Sequence, residues 1–188
     1  MKSRLDIIED MEKLRVAMLS GTPCGSLSVA EIEEVIAALK DDAWRERIED
    51  IDSNVWNIIA EHDLREVCEF LLENQVAGER WSQEPSPMMI AVESGNLEIV
   101  RMMVGHGWSP NHATDISHES PLMLAADAGN EDMFFYLVEH GAKLEHRWRD
   151  MEIDMIGEDA VIDIGTLLKA AVDGRSRRIV EYLKSKLE

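Results

Sequence analysis

Cysteine is scarce in this chain: among 188 residues only Cys24 and Cys68 carry thiols, far apart and without metal-ligand spacing. Two free thiols in a reducing compartment account for them. Basic residues are also few. Nineteen Lys and Arg stand against 38 Asp and Glu, a formal net charge of -19 that repels a phosphate backbone and makes nucleic acid a poor partner. No stretch approaches the roughly 18 apolar residues of a membrane helix. The opening Lys2-Ser3-Arg4-Leu5-Asp6 places an acid within the first turn, which a secretory signal does not tolerate. A cytoplasmic protein, monomeric when free, is expected. Also missing are a phosphate-cradling glycine loop, a His-Glu-x-x-His helix, a Cys-x-x-Cys pair and a nucleophile elbow. No enzymatic activity, cofactor or metal is therefore expected.

What the chain does have is an internal repeat. Residues 86–107 align without a gap on residues 120–141, an offset of 34 with nine of 22 positions identical. The shared residues are Ser86/120, Pro87/121, Met89/123, Ala91/125, Gly95/129, Asn96/130, Val104/138, His106/140 and Gly107/141. Each suits a helix-turn-helix unit. The serine caps a helix whose first residue is proline, where a missing amide hydrogen costs nothing. The alanine lets neighbouring units approach, and Gly95 or Gly129 takes the left-handed conformation that ends the helix. A second helix then presents Ile99, Val100, Met103 and Val104, or Met133, Phe134, Leu137 and Val138, on one stripe.

These residues resemble the ankyrin repeat, with its Thr-Pro-Leu-His start, paired Ala, Gly, hydrophobic second helix and final His-Gly-Ala. Ser stands for Thr in both copies, Met89 and Met123 stand for the His, and Trp108 replaces the last Ala of the first copy. A third copy is read from Thr166 to Leu183, with Ala170, Ala171 and Gly174 placed 45 residues after Ala125, Ala126 and Gly129. A degenerate upstream copy is read at an offset of 33, with His62-Asp63 in place of Gly-Asn. The expected fold class is all-α, an ankyrin-repeat solenoid of three to four helix pairs. Its expected limits are an N-terminal helical cap over 1–52 and repeats over 53–188, divided as 54–85, 86–119, 120–144, an insertion 145–165, and 166–188. Within the cap, stripes Ile7-Met11-Leu14-Met18, Ile32-Val35-Ile36-Leu39 and Trp44-Ile48-Ile51 predict three helices, the second opened by a Ser28/Glu31 capping box.

The resemblance implies protein recognition through the loops that project between repeats and the inner helices behind them. The projecting loops fall at about 75–85, 108–119 and 142–165. They hold Trp81, Trp108 and Trp148, a side chain common among binding hot spots. Trp108, at a small-residue position beside the core, also suits packing on its own repeat. His112, Asp115 and His118 share the second loop; their spacing is no metal signature, and they count among the partner-facing residues. The third loop carries Arg149, Asp150, Glu152, Asp154, Glu158 and Asp159 among apolar Met and Ile, and the alternation from Asp150 to Met155 predicts a short strand.

Charge is uneven. Residues 1–84 hold 20 acids and 9 bases, residues 85–163 hold 15 and 4, and residues 164–188 hold 3 and 6. Any acidic binding face is therefore expected upstream of a basic last repeat. The expected partner is another protein with a basic surface, not nucleic acid or membrane. The leading expectation is an inhibitor or immunity-type protein that offers carboxylates where its target expects phosphates. The alternative is an adaptor that holds two proteins at once, with Arg175, Arg177, Arg178, Lys184 and Lys186 as its second contact.

Overall fold

The computed structural model describes residues 2–22, 25–49, 54–74, 85–111, 119–148 and 160–187, with backbone alone for 49, 146–148 and 160–162. Its elements are α1 (Arg4–Leu19), α2 (Val29–Lys40), α3 (Trp44–Glu49), α4 (Val55–Glu61), α5 (Arg65–Glu73), α6 (Pro87–Glu93), α7 (Leu97–Gly105), α8 (Pro121–Asp127), α9 (Glu131–Glu139), β1 (His146–Trp148), β2 (Ala160–Ile162), α10 (Ile164–Asp173) and α11 (Arg177–Lys184).

Helices α4 to α11 form four hairpins whose ends are set by local chemistry. Ser86 and Ser120 cap α6 and α8 by accepting the Met89 and Met123 amides at 3.3 and 3.2 Å, with proline in the first turn. Asn96 and Asn130 do the same for α7 and α9, accepting the Ile99 and Met133 amides at 3.1 Å. Gly95 and Gly129 sit between each pair with φ of 73° and 64°. The first helices of successive hairpins pack in one row, α4 on α6, α6 on α8 and α8 on α10. The second helices follow behind, with α5 on α7 and α9 on α11. Val67, Ile99, Val100, Met103, Met133, Phe134 and Leu137 are buried in the shared core, while Val104 and Val138 pack at its margin.

Two alignments made from the sequence shift by one residue. In the central hairpins Asn96 donates its backbone amide to Ala91 O and Asn130 to Ala125 O; in the first hairpin Leu64 donates to Ile59 O, and in the last Ser176 donates to Ala171 O. The first repeat therefore lies at an offset of 32, not 33, and the last at 46, not 45. Asp63 (φ 54°) and Arg175 (φ 58°) fill the left-handed position that glycine holds in the middle copies. Matching Gly174 to Gly129 by identity misled because Gly174 is retained for closeness. A Cβ there would lie 2.3 Å from Ala126 O and 2.6 Å from Gly129 N. The new register also explains Val172: it is the counterpart of fully buried Ala126, yet 57% exposed, because no hairpin covers α10 on that side among the described residues.

The other departures concern the insertion. The fold is all-α apart from a three-residue antiparallel ladder that pairs His146 with Ile162 and Trp148 with Ala160. The strand expected from Asp150 to Met155 lies outside the described residues, as does Ile51 of the third N-terminal stripe. Helix α10 begins at Ile164, before the Thr166 start expected, because the Asp163 carboxylate accepts the Thr166 amide at 2.8 Å.

Ahead of the hairpins, α1 packs on α2 and α5, and α2 packs on α3 and α4. Ile7 and Met11 of α1 and Ile32, Val35, Ile36 and Leu39 of α2 are buried. Trp44 of α3 meets Phe70 of α5 with ring centres 5.3 Å apart. Both long helices open with capping boxes: Ser3 with Asp6, and Ser28 with Glu31.

The turn geometry orders three substitutions. At Gly95 a Cβ meets only Asn130 Nδ2, at 3.7 Å, so Gly95→Ala should cost about 1 kcal/mol for the left-handed backbone alone. At Gly129 the same Cβ would fall 2.2 Å from Gly174 O, which adds an overpacking cost of about 1–3 kcal/mol. Arg175→Gly should stabilise by about 0.5–1 kcal/mol as the strained backbone relaxes. Urea unfolding of the three variants checks the order; equal losses at positions 95 and 129 would contradict the backbone contact.

The capping carboxylates set the acid response. Hydrogen bonds from the Ser28 side chain and amide, then from His62, hold Glu31 down to about 2 from its ordinary 4.5. Because the folded value is the lower one, its contribution is complete above about 4.5 and lost as pH falls towards about 2. Melting temperature should fall across that window, and Glu31→Gln should flatten the fall. An unchanged slope in the variant would show that Glu31 is not the group responsible.

Candidate functional site

The edge formed by the loops after α7 and α9 is held together by one side chain that the sequence did not single out. Asn111 donates its amide to Gly141 O at 2.9 Å and accepts the Lys143 amide at 2.7 Å. It thus ties the loop following the second hairpin to the loop following the third. A lone asparagine has no periodic signal; only the adjacency of the two loops reveals its role. Gly107 and Gly141, with φ of 89° and 94°, turn the chain out of α7 and α9 just before this tie.

Trp108 lies on the core side of the same edge. It is 9% exposed, and its ring stands 6.1 Å from that of Trp56, on α4 of the first hairpin. The indole therefore serves mainly to join hairpins, leaving little surface for a partner. The backbone of Trp148 is in β1 opposite Ala160, at the base of the insertion. Trp81, His112, Asp115, His118, Arg149, Asp150, Glu152, Asp154, Glu158 and Asp159 all lie outside the described residues. The recurrent histidines have structural partners: His106 Nε2 is 3.2 Å from Glu69, and His140 Nδ1 is 2.8 Å from Tyr136 O.

Among the described residues, Cys68 and the Glu31–His62 pair are engaged in the fold. Cys68 is fully buried, and burial pushes its thiol up to about 12, so it remains protonated at neutral pH. Glu31, Glu61 and His62 bring potential metal-binding atoms within 4.8 Å of one another. Glu31 is already committed there: Oε2 accepts the Ser28 amide at 2.6 Å and Oε1 faces His62 Nε2 at 3.2 Å. Ser26 Oγ is 3.3 Å from the other ring nitrogen. The group acts as a tie between the start of α2 and the α4–α5 turn.

The charge balance of the chain is one-sided. Lys2, Lys13, Arg15, Lys40, Arg65, Arg101, Arg177 and Arg178 all pair with carboxylates of the same molecule. With twice as many acids as bases in the chain, many carboxylates have no cation to neutralise them. Among the described residues no helix is long and apolar enough to cross a membrane.

Comparison with known proteins agrees with this architecture. Residues 56–147 match the family described as ankyrin repeats, in three copies. No curated protein matches the chain. Helices α10 and α11 lie beyond the matched span yet pack as a further hairpin of the same stack. Stacked hairpins with serine-proline starts, left-handed turns and asparagine caps, together with that match, make this chain an ankyrin-repeat protein, a module for protein–protein interaction.

Proposed function

We propose that the protein binds and inhibits a basic partner protein, in the manner of an immunity protein, by presenting carboxylates where that partner receives phosphates or another anionic substrate. The carrying observation is the unneutralised acidity: a formal net charge of -19, with many of the basic side chains already tied internally. A field of that sign raises the encounter rate with a basic target by about 10- to 1,000-fold at low salt. The acidic insertion, whose ends are pinned by the β1–β2 ladder, supplies the contact surface: Asp150, Glu152, Asp154, Glu158 and Asp159, with Arg149 and Trp148 beside them. Trp81, His112, Asp115 and His118 extend it along the loop edge. In this reading residues 1–52 serve as a helical cap for the repeats, and the protein is a cytoplasmic monomer until its partner binds.

An adaptor is the second reading, favoured by the basic last hairpin. Arg175, Arg177, Lys184 and Lys186 are exposed there, and Lys186 lies over the Tyr182 ring at 5.2 Å. An inhibitor forms a stoichiometric complex that abolishes an activity, whereas an adaptor leaves activity intact and holds two proteins together.

Affinity capture from the native host at two salt concentrations, followed by kinetics on the partner recovered, tests the proposal. Association should slow steeply as salt rises. Changing Asp150 and Asp154 to Asn together with Glu152 to Gln should lower the association rate more than it raises dissociation. Trp148→Ala should cost about 2 kcal/mol of binding if the indole is a hot spot. Salt-independent association would sink the electrostatic mechanism, and undiminished partner activity at saturation would sink inhibition.

A further inference from the structure

The second helices, on the row away from the first helices, carry a groove of about 580 Å³ between α5, α7 and the start of the chain. That volume lies in the range of built ligand sites, roughly 300–1,000 Å³. It suits a short side-chain anchor rather than a whole docked helix. Its floor is apolar: Phe70, 5% exposed, and the partly buried Met102. Glu66, Glu69, Glu73 and Glu98 line its walls, with Lys2 and Arg65 as the cations among them.

The pairing of these charges shows what the groove still lacks. Lys2 bonds Glu66 at 2.7 Å and Asp10 at 2.8 Å, so one ammonium already serves two carboxylates. Arg65 is held by Asp63 at 2.7 Å and stands 3.9 Å from Glu98, which Arg101 also faces at 3.5 Å, so the wall carboxylates left without a guanidinium or ammonium partner among the described residues are Glu69 and Glu73. Glu69 faces the His106 ring at 3.2 Å, and Glu73 has no partner among the described residues. The walls are therefore short of positive charge over an apolar floor. A side chain with an aliphatic stem and a cationic head satisfies both at once. Arginine does so best, since its planar fork of donors serves carboxylates from more than one direction.

We propose that this groove docks an arginine, with an adjoining apolar residue, from an exposed segment of the basic partner protein. The inference rests on the protein-binding reading above but places a contact away from the loop edge. Charge complementarity selects the occupant, and the apolar floor selects the residue beside the arginine.

The test uses the full chain and an amidated peptide of alternating arginine and leucine, titrated calorimetrically at low salt. Glu69→Gln with Glu73→Gln should weaken binding roughly tenfold, the effect of two partly exposed charge contacts. Asp132→Asn with Glu139→Gln removes the same charge from exposed positions on α9 and should change affinity less than twofold. Met102→Lys, which fills the floor with a competing cation, should also weaken binding. Amide shifts on peptide addition should centre on α5 and α7, and melting curves for every variant confirm folding. Equal weakening by the two Gln/Asn pairs would mean that the overall field, not the groove, holds the peptide, and would overturn the proposal. So would an unchanged affinity in the groove pair. Loss of peptide binding in the loop variants at 148, 150, 152 and 154 instead would move the contact to the insertion, overturning the groove while leaving the inhibitor reading in place.

Discussion

Each hairpin in this protein must reverse its chain with one residue of positive φ, while the next hairpin lies directly against that reversal. The two demands meet most closely between the last two hairpins, where Gly174 lies against Ala126 O and Gly129 N with no room for a side chain. Where glycine is absent, other means suffice. Asp63 tolerates the left-handed region better than most residues, and its carboxylate, accepting from Arg65, also accepts the Asn96 amide at 3.2 Å. Asn96 donates further to Ala60 O at 2.9 Å, so one side chain caps its own helix and fastens the preceding hairpin. In the last hairpin Ser176 takes over: it caps α11 and donates to Glu131 at 2.7 Å. The stack is thus held by turn-to-turn contacts as well as by the apolar core.

Function is distributed differently from stability. The core residues and turn ties lie between helices, while the charge proposed to draw a partner is the excess of acids over bases in the chain. Internal ion pairs of the kind formed by Arg15 with Glu12 and Glu33, or Lys40 with Glu12, are partly exposed and add little stability each. Their larger effect is to occupy cations, which leaves the remaining carboxylates to act outward. Tryptophan divides in the same way: Trp56 and Trp108 join the first two hairpins, and Trp44 binds α3 to α5.

Much of the fold was legible because its signals are local. A proline after a capping serine and a glycine before a capping asparagine announce a hairpin without reference to distant residues. The same locality explains the one-residue errors at both ends of the stack. Where glycine was missing, at Asp63, or serving another purpose, at Gly174, identity pointed one way and the hydrogen-bond register another. The candidate site was less legible. Loop residues have no periodicity, and the buried state of Trp108 depends on Trp56, which lies 52 positions earlier in the sequence. Asn111 and the Glu31–His62 tie were missed for the same reason, since each joins segments that only folding makes adjacent.

The amino-acid sequence alone determined the hairpin unit, its period, its caps and the acidity of the chain, because these follow from neighbouring residues and from a sum of charges. Tertiary structure alone decided which glycine was required for conformation and which for closeness, which indole was core, and where carboxylates gathered over an apolar floor. Those outcomes depend on distances between segments far apart in the chain, and such distances arise only once the hairpins are stacked.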